Sequence, residues 1–121
     1  MESDTQDEAK ATKEKKIEYE DITADQLSED LEANAAAAKD KYAGNCYAIS
    51  GKLGNIDSDG AYIDLDTSDE WDFTSIQCFI KNDDQLDKIK NMSKGDSITV
   101  KGKVTDVGEL MGYSIDIDSI E

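Results

Sequence analysis

Residues Phe73–Val104, FTSIQCFIKNDDQLDKIKNMSKGDSITVKGKV, change their apolar period twice. Ile76, Cys78 and Ile80 alternate with Gln77 and Phe79, so the spacing predicts a strand over Phe73–Ile80. Leu86, Ile89 and Met92 then recur at every third position behind Asn82 and Gln85, a capping-box spacing, which predicts a short helix stopped at Gly95. Ile98, Val100, Gly102 and Val104 restore the alternation of a strand that runs on toward Val107.

On either side of this core the period-two pattern repeats. Tyr47, Ile49 and Leu53 alternate through Cys46–Leu53, with Gly51 where a side chain would crowd a tightly coiled strand. Ala61, Ile63 and Leu65 alternate with Tyr62, Asp64 and Asp66, and Tyr113, Ile115 and Ile117 alternate with Ser114, Asp116 and Asp118. Ile120 continues beside the core after a local change of phase. Upstream, Leu27, Leu31, Ala35, Ala38 and Tyr42 form one stripe of a helix over Asp25–Tyr42, with Thr23 and Gln26 as its capping pair and Gly44 and Asn45 as its break. Five strands with a helix between the third and fourth describe a mainly β, five-stranded barrel of the OB type, here preceded by a long helix that covers a barrel end. The expected domain is 19–121. The stretch 1–18 has Ile17 as its one bulky branched aliphatic residue and is expected to be a solvated tail.

Charge and composition narrow the function. The chain has 13 basic residues, all Lys, against 29 acidic ones and no His, for a net charge of −16. That balance works against polyanions. No apolar run approaches the roughly 20 residues of a membrane-spanning helix, and the start lacks the pattern of a secretion signal. Cys46 and Cys78 have neither paired spacing nor His partners, so they are read as structural thiols, with a disulfide as the alternative. Ser50, Ser75 and Ser114 have no His base, paired carboxylates such as Asp69 with Asp72 sit in acid-rich loops, and no phosphate loop or dinucleotide fingerprint occurs. A noncatalytic module without a cofactor is expected.

The combination ITADQLSEDLEANAAAAKDKYAG, YAISGKLGNI, AYIDLDT, IQCFIKND and MSKGDSITVKGKVTD, spanning Ile22–Ile120, resembles the tRNA_anti-like family of OB-fold domains. Asn34, Ala38, Lys41, Tyr42, Gly44, Gly51, Cys78, Gly95 and Gly102 fall at positions similar to the family pattern. The resemblance implies an OB barrel behind a helix and a secreted or envelope-associated setting, although no Cys lies near Met1 as a lipoprotein pattern would require. The family's name rests on likeness to nucleic-acid-binding OB folds, and a fold shared by many functions does not fix a ligand.

Three surfaces compete. Tyr62, Trp71 and Phe79 offer aromatic contacts, with Asp64, Asp66, Asp69 and Glu70 selecting a protein or peptide of basic surface. The alternative is single-stranded nucleic acid, stacked on Tyr62 and Trp71 and steered by Lys52, Lys101 and Lys103. A further alternative is weak calcium binding at Asn55, Asp57 and Asp59 before Gly60, which resembles the start of an EF-hand loop. Its twelfth position, Asp66, lies roughly 20 Å beyond Gly60 along an extended run at about 3.3 Å per residue, so the expected state is a hairpin with solvated carboxylates.

Overall fold

The computed structural model describes residues 17–121, so all but the last two residues of the expected tail lie outside the described residues. The elements are β1 (Glu20–Thr23), α1 (Ala24–Ala33), α2 (Ala35–Tyr42), β2 (Cys46–Ile56), β3 (Tyr62–Asp66), β4 (Ile76–Phe79), α3 (Asp83–Lys90), β5 (Ser97–Gly108) and β6 (Gly112–Ile120). Strands β2 to β6 close an OB barrel through β2–β3–β4–β6–β5, with β5 returning to β2. That seam runs from Cys46↔Lys103 to Lys52↔Ser97 and includes the expected stretch from Ile98. Alternation explains it: Ile49, Leu53, Ile63, Leu65, Ile76, Val100, Val104, Ile115 and Ile117 are all buried and fill the interior. Each such side chain contributes about 1.5–3 kcal/mol on leaving water.

The change of phase at the end of the chain is a bulge. Lys101 pairs with Ser119 and Gly102 with Ile117, leaving Asp118 as the extra residue, so that Ile117 and Ile120 are both buried. At Gly51 the expected crowding is present, because an added Cβ would stand 3.0 Å from both the Ala24 Cβ and the Asp66 carbonyl oxygen.

Four local expectations are corrected. The long helix is two, broken at Asn34, whose extended backbone ends α1 while its side chain accepts from the Ala37 N–H at 3.0 Å and starts α2. The apolar stripe still packs as expected, with Leu27, Leu31, Ala38 and Tyr42 buried. Thr23 does cap α1, accepting from the Gln26 N–H at 3.1 Å, but the Gln26 side chain donates to Asp30 at 2.9 Å rather than reaching back. The third barrel strand begins at Ile76, and Phe73 stands in the loop before it. Finally, Glu20–Thr23, with no readable period, forms β1, pairing parallel to β2 from Glu20↔Tyr47 to Thr23↔Ser50.

The short helix α3 sits against the barrel as expected. Gln85 is buried, accepts from the Lys81 N–H at 2.7 Å and donates to the Ile117 and Asp118 carbonyls at 3.0 and 3.2 Å. Ile89 is buried beside it.

Candidate functional site

On β3 the inward residues Ile63 and Leu65 leave Tyr62, Asp64 and Asp66 on the outer face, and on β4 Ile76 and Cys78 leave Gln77 and Phe79 there. Register then decides which of them meet. Tyr62 pairs across the strands with Phe79, and Asp64 with Gln77. The two rings lie 6.4 Å apart at 64°, an edge-to-face contact that leaves both half-buried. The row continues through Asp116 on β6, opposite Phe79, to Lys103 on β5, opposite Asp116. Lys81, just after β4, brings its Nζ within 3.6 Å of the Asp116 carboxylate. The aromatic pair therefore has both carboxylates and ammonium groups at its border.

Burial pushes the Asp64 carboxyl above its usual range, partly offset by the hydrogen bond that Asn55 Nδ2 donates to it at 3.3 Å. The negative charge nearest Tyr62 along β3 is thus more readily neutralised by protonation than that of a free aspartate.

The remaining expected residues are dispersed. Trp71, Asp69 and Glu70 follow β3 at its far end, beyond Asp66, so Trp71 is separated from Tyr62 by the length of the strand. Asp69 accepts from the Trp71 N–H at 2.9 Å and shapes that loop. Lys52 pairs in register with Asp66 and Ser97. Lys101 Nζ lies 2.6 Å from Glu121 and 5.7 Å from the Tyr19 ring centre, so its charge is engaged away from the aromatic row. Of the expected nucleic-acid contacts, Tyr62 and Lys103 share the row; Lys52, Lys101 and Trp71 stand elsewhere.

Two of the three expected calcium ligands, Asn55 and Asp57, are engaged by hydrogen bonds, Asp57 within the β2–β3 turn and Asn55 from the end of β2. Asp57 accepts from the Ala61 N–H at 2.9 Å, while Asn55 donates to Asp64 and accepts from Lys94 Nζ at 3.2 Å. Among the described residues no group of three or more His, Cys, Asp or Glu is arranged to hold a metal ion. Cys46 and Cys78 are free thiols; Cys78 is fully buried in the barrel, and burial pushes its pKa far up.

Sequence reading missed the far end of the barrel. Phe73, Leu110 and Met111 are exposed there with Trp71. The readable signal was the pair Leu110–Met111 in the turn between β5 and β6, where neither has a strand neighbour to alternate with.

The sequence profile of a family described as tRNA_anti-like matches residues 1–113. No curated protein sequence matches significantly. Among solved structures, the chain is similar to a lipoprotein from Klebsiella pneumoniae subsp. pneumoniae MGH 78578, provisionally classed as nucleic acid-binding, at 16% identity and TM-score 0.63, covering 81% of this chain and 87% of that one. It is similar to replication protein A of U. maydis bound to single-stranded DNA at 20% identity and TM-score 0.53, covering 88% and 74%. It is also similar to an OBody bound to hen egg-white lysozyme at 20% identity and TM-score 0.52, covering 72% and 86%. At these identities the likeness establishes the fold.

Proposed function

The chain belongs to the tRNA_anti-like family, and from that membership we propose a noncatalytic binding module that takes a short single-stranded nucleic-acid segment across the outer face of β3 and β4. The observation that carries this reading is the Tyr62–Phe79 ring pair. OB barrels take oligonucleotides on these two strands, and a base stacked on an aromatic ring contributes about 1–3 kcal/mol with little regard to sequence. The similarity to replication protein A bound to single-stranded DNA supports the same class of ligand.

Charge shapes how such a ligand is held. Asp64 and Asp116 flank the rings, and Lys81 is within 3.6 Å of Asp116, so stacking rather than phosphate pairing supplies the affinity. Binding is then weak, tolerant of sequence and shallow in its salt dependence. Fluorescence anisotropy of short labelled oligothymidylate and oligouridylate at about 0.05 and 0.2 M salt tests this. Tyr62→Ala and Phe79→Ala should each weaken binding about fivefold or more, and Trp71→Ala should not. No saturable binding at either salt, or equal loss on Trp71→Ala, overturns the reading.

A protein or peptide of basic surface is the second reading, favoured by Asp64 and Asp66 on β3 and by Asp69 and Glu70 in the loop that follows. The likeness to an OBody bound to hen egg-white lysozyme supports a protein ligand. The likeness to a bacterial lipoprotein supports an extracytoplasmic setting, which fractionation of the native cells tests.

A further inference from the structure

At the end of the barrel away from Tyr62, two loops present large apolar side chains to solvent: Trp71 is 76% exposed, Phe73 83%, Leu110 94% and Met111 79%. Isolated exposed apolar residues are ordinary, but four on adjoining loops mark a contact surface. The loops are tied together, because the Tyr113 N–H donates to the Ser75 carbonyl at 2.8 Å. Gly112 makes that approach possible: its φ is +75° and a Cβ there would fall 2.1 Å from the Ser75 oxygen. Leu31 and Glu32 of α1 supply the opposite wall of a groove of about 500 Å³.

The groove's charge has one sign. Its lining includes Glu32, Asp72 and Glu109 and no Lys. Through Glu32 and Asp72 it continues into a second groove that adds Asp25, Glu29 and Asp69, again with no Lys. Two of these carboxylates are held in place. Asp72 accepts from the Ser28 hydroxyl and from the Thr74 N–H at 2.9 Å, and Asp25 accepts from the Ser68 N–H at 2.7 Å. Fixed charges around an apolar floor need little reorganisation when a partner arrives.

We propose that this groove docks a basic protein segment, with one apolar anchor seated among Leu31, Trp71, Phe73 and Leu110 and flanking Lys or Arg side chains against Glu32, Asp72 and Glu109. Charge complementarity selects this occupant. A second copy of a chain of net charge −16 is repelled, and a phosphate backbone meets carboxylates on the way in. The surface is separate from the Tyr62–Phe79 face, so it stands or fails independently of the nucleic-acid reading, while it gives the second reading, a basic protein ligand, its own groove.

Trp71 is the chain's one tryptophan, so its emission reports this groove directly. The test uses the full chain and two peptides without tryptophan: one with leucines flanked by lysines, and one in which serine replaces every leucine at equal charge. The expected result is a saturable blue shift with the leucine peptide, at least about tenfold weaker binding of the serine peptide, and a similar loss for the Phe73→Ser and Leu110→Ser variants. Thermal unfolding confirms that these variants remain folded, as their exposure implies. Equal binding of both peptides, or indifference to both substitutions, overturns the proposal. So does a blue shift that follows self-association in sedimentation, or one produced by phosphatidylcholine vesicles or oligothymidylate and not by the leucine peptide.

Discussion

The Tyr113 hydroxyl on β6 donates to the Leu27 carbonyl of α1 at 2.7 Å, although the residues are 86 positions apart in the chain. Both are fully buried, and Tyr113 also meets the ring of Tyr42 edge-on at 5.9 Å. This bond helps to fix the helix on the barrel and, with it, the Leu31–Glu32 wall of the groove.

Tyr113→Phe keeps the ring and removes the bond. The expected loss is about 1 kcal/mol, read as a lower midpoint in urea unfolding at an unchanged slope. A shallower slope would mean that α1 detaches rather than weakens.

Acid should destabilise the fold through two carboxylates. The Tyr42 hydroxyl, with Gln26 and Lys41, holds Asp30 below its usual range despite some burial. For Asp72 burial acts upward, but hydrogen bonds from Ser28 and Thr74 outweigh it and the net shift is down. A depressed folded pKa means a contribution fully present above the unfolded value of 3.8 and lost as pH falls through the lower folded value. Thermal midpoints followed from neutral pH downward should therefore decline below about pH 4, and Tyr42→Phe should flatten part of that decline.

Asp64 behaves in the opposite sense. Burial raises its folded pKa, so its ionised form opposes folding above that value, and the penalty is relieved as pH falls. Asp64→Asn should raise the thermal midpoint at neutral pH and leave it nearly unchanged in acid. The same substitution removes a negative charge beside Tyr62 and should strengthen oligonucleotide binding severalfold in anisotropy.

Gly112→Ala should cost about 1–3 kcal/mol or more, because a left-handed backbone and a clash with the Ser75 carbonyl coincide. Chemical denaturation measures the loss. If the loops separate, Trp71 emission in the native state shifts as well.

Much of the fold was legible because barrel strands bury one face. The alternation at Ile98, Val100, Gly102 and Val104 located the closing seam, and the stripe from Leu27 to Tyr42 located the helical cover. The break at Asn34 was hidden because the stripe crosses it; its signal was an Asn three residues before Ala37, a start within an apparent helix. The site was legible in part. Alternation placed Tyr62 and Phe79 outward, but their meeting depends on register, which the loops between β3 and β4 set and local spacing does not. Trp71 was grouped with them by residue type, whereas the chain carries it to the other end of β3. Leu110 and Met111 escaped notice because exposed apolar residues in loops have no period, and Phe73 was read into the strand that follows it.

The parallel pairing of β1 with Tyr47–Ser50 occupies a stretch of β2 that β3 does not reach, since β3 pairs only from Lys52 onward. Without β1 that stretch would present an unpaired row of N–H and C=O groups, a template for any extended chain that drifts against it. The four residues Glu20–Thr23 act as a built-in stopper: they pair that stretch of β2 from within and leave a short acidic strand as the edge, with Glu20 and Asp21 on the outside, where their charge turns incoming strands away. A domain trimmed to begin at Ala24 would keep its closed barrel and lose its guard against stacking on its own kind.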